Sequence, residues 1–367
     1  MFNIFRVVTQ DDYIKEVTKS RHVLTLRHRN SYEEVVGKKR VTLLSQATSS
    51  RGYMLPRLIE MWSDPINIAL LATVEDAQDT FNFLAKLLTR FNRPDVTLHV
   101  VVGNGFLYPV NWMRNLVLHH ASSEFVFHVD IDFLPSRNLV EELRQQVDGL
   151  TRDDAAIIVP AFEMMSSESE VLPTDKSQIL EQFKQNNVQE FHRQIGGQAL
   201  WDVKRWLQAS QSYIISAQVC DIHAEPYMVL RRSKSPFYPE TLVERGWNKV
   251  AYHFELCIKN FQFSVVSDGF LLHRWHEDSK RAWNRVLYCT EFSFRQFQNN
   301  LVEAFGTQRF PREFRPWFIK IIEYSFICQF AEGLIWSVIC SILVLICYVM
   351  LRVCIFKRRR FVYTKLV

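Results

Sequence analysis

The sequence predicts an α/β fold, a mainly parallel sheet flanked by helices, and three observations carry that expectation. Apolar runs of strand length alternate with stretches of helical periodicity from Val41 to Pro160. The most telling run, Phe125-Val126-Phe127-His128-Val129, ends in two carboxylates one residue apart, Asp130 and Asp132, with Pro135 beyond. A short apolar run bounded by turn signals reads as a buried strand of a parallel sheet. The composition, 48% hydrophobic and 23% charged over 367 residues, supplies core material for one large domain or two small ones.

Taken in order, Val41–Ala47 reads as a strand, and Tyr53–Trp62 as a helix with Leu55, Leu58, Ile59 and Trp62 on one face. Ile66–Val74 is a strand, and Asp76 is placed to cap a helix that runs to about Phe91. Val96–Val102 is a strand ended by Gly103-Asn104-Gly105, and Val110–Ala121 a helix. After the Asp130/Asp132 strand, Ser136 is placed to cap a helix to Val147, and Ala155–Pro160 is a strand. This alternation implies βαβ units with right-handed crossovers. From Ser166 the chain turns polar, with a solvated helix over Asp175–Phe191. Tyr213–Cys220 and Glu225–Arg231 read as strands, Trp247–Lys259 as a helix, and Phe261–Leu272 as a strand broken by a turn at Asp268-Gly269. Trp283–Val302 is expected to be helical.

Ligands of parallel sheets bind beyond the carboxyl ends of the strands, so Asp130 and Asp132 are expected at the mouth of a site. Two carboxylates there repel each other unless a divalent cation lies between them, and hard cations prefer oxygen. The pair therefore points to a metal–diphosphate site; an isolated D-x-D that merely caps a turn is the bland alternative. His273 and His276 frame HRWH just past an apolar run, where a third ligand from a distant strand would come from. Arg114 and Asn115 follow Pro109 on one helix and are candidates for cofactor or substrate contacts. Glu255 is a candidate general base if it faces the cleft; pairing with Lys259 at i, i+4 is the plainer reading.

The net charge of +5 carries no aromatic-interleaved basic stripe, so a nucleic-acid partner is not expected. The 7 Cys include no C-x-x-C pair, which argues against a zinc site. Met1–Lys39 is polar and lacks the apolar h-region of a signal peptide. Gly333–Leu351 is about 19 residues without a charge, long enough to cross a bilayer, with Trp336 and Tyr348 suited to its interfaces. Lys357-Arg358-Arg359-Arg360 follows, so the positive-inside rule puts the carboxyl end in the cytoplasm and the large domain across the membrane, which calls for a targeting signal that is not visible; a tail-anchored protein with its domain in the cytosol is the alternative, and it would require translocating the basic cluster. The expected organisation is an N-terminal segment at 1–39, a catalytic domain at 40–326, a transmembrane helix at 333–351 and a basic tail at 352–367.

Several segments in this order resemble the LARGE-type family of glucuronyltransferases: VTLLSQATSSRGYMLPRLIEMWSDPINIAL, YPVNWMRN, HVDIDFLPS, VPAFE, AEPYMVL, GWNKVAYHFEL and DGFLLH. Together they cover Val41 to His276. The resemblance implies a GT-A-like (Rossmann-like) fold, a UDP-sugar donor, Mn²⁺ and inverting transfer of glucuronic acid to a glycan on a glycoprotein. It implies a Golgi membrane enzyme with a lumenal catalytic domain. It puts the metal on Asp130, Asp132 and His273, with Asp130 also close to the donor ribose. For the base, Glu255 is the first choice and Glu225 and Asp221 are competitors. The chain departs from the family pattern at Pro239, Leu242 and Glu244, and near Gln198. A carbohydrate-binding pseudoenzyme of the same fold stays open on those departures. A haloacid-dehalogenase-type phosphatase is disfavoured by Phe133 after the second aspartate and by the mid-chain position of the motif.

Overall fold

The computed structural model describes residues 13–18, 23–28, 40–103, 108–165, 172–215, 224–242, 246–274, 294–301 and 303–305. The chain divides into two units, Met1–Arg309 and Phe310–Val367. The second lies outside the described residues, and with it the expected transmembrane helix and basic tail. Among the described residues no helix is long and apolar enough to cross a membrane.

The strands are β1 Tyr13–Thr18, β2 Val23–His28, β3 Val41–Thr48, β4 Ile66–Thr73, β5 Val96–Gly103, β6 Phe125–His128, β7 Phe133–Pro135, β8 Ala155–Val159, β9 Ala161–Met164, β10 Val188–Glu190, β11 Tyr213–Ile214, β12 Tyr227–Arg231, β13 Gln262–Val265 and β14 Leu271–His273. The helices are α1 Leu55–Met61, α2 Ala77–Phe91, α3 Val110–His119, α4 Leu139–Asp148, α5 Lys176–Lys184, α6 Val203–Gln208 and α7 Asn248–Ile258. Residues 294–301 are also helical.

Ten strands form one sheet in the order β1-β2-β5-β4-β3-β6-β12-β8-β13-β11, and four form a second in the order β10-β9-β14-β7. The centre, β5-β4-β3-β6, is parallel. Beyond it the expectation of a mainly parallel sheet is corrected: β12 runs antiparallel to both β6 and β8, and β2 antiparallel to β5. The reason is burial. Tyr227, Val229 and Leu230 of β12 are as enclosed as the residues of β3, and a strand covered on both faces reads as an apolar run whichever way it points.

Successive residues of the central strands feed opposite faces, as the period of two requires. Leu43 belongs to the core shared with α1, α2 and α4, while Leu44 belongs to the one shared with Met113, Val117 and Leu118 of α3. A separate core beneath β8, β12 and β13 takes Ile179, Trp206, Tyr252 and Leu256. Two expected caps do other work. Asp76 precedes α2 but accepts from Ser49 Oγ and Thr73 Oγ1 instead of a helix N–H. Ser136 leaves the capping position to Asn138 and accepts from the backbone N–H of Phe270 at 3.1 Å. The solvated helix expected over Asp175–Phe191 stops at Lys184, and β10 follows it.

Arg144 of α4 ties that helix to the sheet. Its Nε donates to Asp64 Oδ1 at 3.1 Å, and the other oxygen of Asp64 accepts from the Val41 N–H at 2.9 Å at the start of β3. Asp64 is fully buried. Asp64→Ala leaves a buried N–H and a partly buried guanidinium without their acceptor. We expect a loss of about 3 kcal/mol in denaturant unfolding; a loss below about 1 kcal/mol would show that water replaces the carboxylate.

Candidate active site

The chain leaves β6 with a Val129 N–H bond to the Leu44 carbonyl of β3, at 2.9 Å. Val129 and Ile131 turn into the core. The chain then turns, with the Phe133 N–H on the Asp130 carbonyl at 3.1 Å, and the turn leaves Asp130 and Asp132 half-buried while Val129 and Ile131 are enclosed. The two aspartates nevertheless have different surroundings.

Asp130 is enclosed by donors. Its Oδ1 accepts from Arg114 Nη2 at 3.1 Å and Gln46 Nε2 at 3.2 Å, and its Oδ2 from Tyr227 Oη at 2.7 Å and Lys249 Nζ at 2.9 Å. Burial pushes its pKa up, but Lys249, Arg114 and the Tyr227 hydroxyl outweigh that and hold it well below the ordinary carboxylate value. The same contacts act on the partners. Burial and the Asp130 charge push the Tyr227 hydroxyl far up. Asp130 keeps Arg114 charged against its burial. Beside them, burial and then Arg114 push His128 down to about 3, so that ring is neutral against Tyr238 and Tyr252.

Asp132 is bound at one oxygen by Arg51 Nη1 at 2.6 Å, from the 3₁₀ turn Ser49–Met54 that follows β3. The same Oδ2 lies 3.6 Å from His273 Nε2. The register explains the meeting: His273 of β14 stands opposite Phe133 of β7, the residue after Asp132, and the Arg274 N–H returns to the Asp132 carbonyl at 3.1 Å.

The structure thus brings Asp130, Asp132, Arg114 and His273 to one place. Asn115 goes elsewhere. Its amide donates to the Tyr238 carbonyl at 2.9 Å and to Glu240 at 3.1 Å, and its oxygen accepts from the Tyr238 N–H. With Asn111 on the Pro239 carbonyl it clamps the loop at 238–240. The departures at Pro239 and Leu242 therefore fall in chain the fold holds firmly, Leu242 being fully buried; Glu244 lies outside the described residues. Glu255 takes the plainer reading: its carboxylate bonds Lys259 Nζ at 2.6 Å. It stands six positions on from Lys249, about 240° around the helix, so the two do not share a face. Glu225, the competitor, lies 3.5 Å from Lys249 Nζ and 3.6 Å from His192 Nδ1. His276 and Asp221 lie outside the described residues.

Gln46, Arg51, Tyr227 and Lys249 were not singled out from sequence. Gln46 and Arg51 had a usable signal, because they sit at and just past the carboxyl end of β3, on the rim where Asp130 was expected. Lys249 and Tyr227 had none, since a lysine in a first helical turn and a tyrosine in an apolar run are ordinary surface and core residues.

An oxygen of Asp132 and a ring nitrogen of His273 on neighbouring strands are donors that suit a borderline divalent ion. Asp130 has its lone-pair directions taken. Among the described residues no three His, Cys, Asp or Glu side chains are grouped to hold a metal. Asp132 and His273 thus carry donor types that suit such an ion, and one bound at Asp132 Oδ2 would compete with Arg51 for that oxygen.

A family model described as "Glycosyl-transferase for dystroglycan" matches residues 102–306. The xylosyl- and glucuronyltransferase LARGE2 of Mus musculus is 35% identical over 244 residues, 65% of this chain and 35% of that protein. LARGE1 of Homo sapiens is 31% identical over 278 residues, 74% of this chain and 36% of that protein. The chain spans about a third of the length of these curated relatives. Among solved structures, S. aureus TarS in complex with UDP-GlcNAc aligns with a TM-score of 0.44 at 12% identity, over 72% of this chain and 65% of that one. Since the matched stretch takes in more than half of the chain, and with it Asp130, Asp132, Glu225, Lys249 and His273, this protein belongs to the family of glycosyltransferases described as glycosyl-transferase for dystroglycan.

Proposed function

We propose that the chain is a metal-dependent glycosyltransferase that moves glucuronic acid from a UDP-sugar to a glycan acceptor, with inversion at the anomeric carbon. The observation that carries this reading is the Asp132–His273 pair beside the Asp130 cluster, on a chain of this family. The family description names dystroglycan, and a glycan on a glycoprotein is the acceptor class we assign.

Charge grows on the diphosphate as the donor's glycosidic bond breaks. Asp132 and His273 would hold Mn²⁺, which supplies Lewis-acid stabilisation of that charge. Arg51 lies on Asp132 and is a cation that could turn to a phosphate there. Asp130 keeps Arg114 and Lys249 fixed at the floor of the site, so their fields are preorganised at no cost during the reaction. For the base we replace Glu255 with Glu225. Burial pushes the Glu225 pKa up, but Lys249 and His192 more than offset it, and the net shift is downward. The choice of Glu225 rests on its place beside Lys249 and the Asp130 cluster; the lowered pKa keeps it ionised but makes it a weaker base than a carboxylate tuned toward neutrality.

One assay tests both the activity and the base: UDP release from UDP-glucuronic acid with Mn²⁺, with and without glycan acceptors. Chelation by EDTA is expected to abolish turnover and added Mn²⁺ to restore it. Glu225→Gln should lower kcat by about 100-fold or more with donor binding retained, while Glu255→Gln stays within about threefold. Equal losses in the two variants would return the base to the open list. UDP-sugar binding without release under any acceptor would favour the pseudoenzyme.

The domain is further proposed to face the Golgi lumen, on a single membrane span at 333–351. Cys257 is disulfide-bonded, its partner lying outside the described residues, and disulfides persist in oxidising compartments. Protease digestion of sealed microsomes should spare the catalytic domain and remove the basic tail; the reverse pattern would sink this topology.

A further inference from the structure

His273 reaches Asp132 on a strand of only three residues, Leu271–His273. The strand pairs on both sides, antiparallel with β7 and parallel with β9, but each ladder is short, and a slip of one residue turns every side chain to the other face. In a slipped register Leu272 or Arg274 would stand opposite Phe133, and no imidazole would meet Asp132. Contacts just outside the strand add to what those two short ladders fix.

The turn at 267–269, just before the strand, is held in an unusual way. Glu142 of α4 accepts from three successive backbone N–H groups: Ser267 at 2.7 Å and Asp268 at 3.1 Å through Oε1, and Gly269 at 2.5 Å through Oε2. The Ser267 hydroxyl adds a fourth bond to Oε1 at 3.1 Å. Three N–H groups converging on one point make an anion-binding nest, and here a side chain of the same protein fills it. Lys176 Nζ grips the other side of the turn, at the Ser267 carbonyl, at 2.6 Å. Gly269 permits the approach: a Cβ there would lie 2.9 Å from Glu142 Oε2 and 2.5 Å from Leu139 Cδ1. Ser136, next to β7, then pairs with Phe270 in both directions: its N–H donates to the Phe270 carbonyl at 2.9 Å, and its hydroxyl oxygen accepts from the Phe270 N–H at 3.1 Å. The chain of contacts runs from α4 through the turn to the register of β14.

We propose that Glu142 is a positioning residue for His273: its carboxylate, seated in the 267–269 nest, sets the register of β14 and so holds the imidazole beside Asp132. The role in metal binding rests on the function proposed above; the role in register does not. Glu142→Gln is the informative change, because it keeps shape and one acceptor but turns an amide donor toward the Gly269 N–H. Two measurements on the full chain decide the matter. In metal-free protein, hydrogen exchange over residues 269–274 should quicken about tenfold or more. Calorimetric titration with Mn²⁺ alone should show a dissociation constant raised about tenfold or more, the range seen when groups that orient metal ligands are removed. The donor KM at saturating Mn²⁺ should stay within about twofold. Ile179→Val, a buried change in α5 of comparable cost, about 1 kcal/mol, should leave both readouts alone. Unchanged exchange in Glu142→Gln, or quickened exchange with unchanged Mn²⁺ affinity, overturns the proposal, as does an equal effect from Ile179→Val. Should the unaltered protein bind no Mn²⁺, the metal reading of the site falls, and the exchange result still decides whether Glu142 sets the register.

Discussion

A carboxylate drawn partly out of water at the end of a strand needs several donors, and Asp130 finds Gln46 from β3, Arg114 from α3, Tyr227 from β12 and Lys249 from α7. Those elements come from distant parts of the chain. Each contributes an apolar face to the core and one polar group to the same point. A charged Arg114 is barely exposed, which is tolerable only while Asp130 is ionised beside it. The linkage has a definite sign. Asp130 is held below its ordinary 3.8, so its contribution to stability is full above that pH. The contribution is lost as the pH falls from there through the lowered value.

That constraint divides the labour between two aspartates that look alike in sequence. Asp130 balances protein cations and organises the floor. Arg51 and His273 both come to the Oδ2 of Asp132, so this carboxylate meets one strand-end imidazole and one cation where Asp130 meets four donors. Glu225 shares Lys249 with Asp130, so the proposed base and the organising carboxylate are coupled through one ammonium. The cleft carries fixed negative and positive groups in near balance. A dianionic diphosphate entering it would meet Arg51, Arg114 and Lys249 already oriented.

Much of this was legible in the sequence. The β3–α1–β4–α2–β5–α3–β6 series was readable because apolar runs and helical periodicity alternate cleanly there. The strand end at Asp130 followed from the same pattern. His273 was findable as the polar end of an apolar run. Other features were hidden for physical reasons. The direction of β12 leaves no trace in a strand buried on both faces. β1 and β2 lie in a segment that reads as polar and mixed, yet Val23, Leu24 and Leu26 of β2 are buried against the sheet edge. Ser136 and Glu142 read as ordinary members of a helix start, and only the fold shows that both turn to residues 267–270. Glu255 and Glu225 could not be ranked without knowing which helix face carries Lys249.

The central claim is that Asp130 and Lys249 form one half-buried, mutually dependent pair that the site is built on. A double-mutant cycle tests it most directly, with unfolding free energies measured for the unaltered protein, Asp130→Asn, Lys249→Met and the double variant. The pairing predicts that each single change is costly and that the double costs less than their sum by about 2 kcal/mol, within the range found for coupled neighbours. Additivity to within about 0.5 kcal/mol would contradict it, and would mean that Asp130 is held by Arg114 and Tyr227 without the lysine.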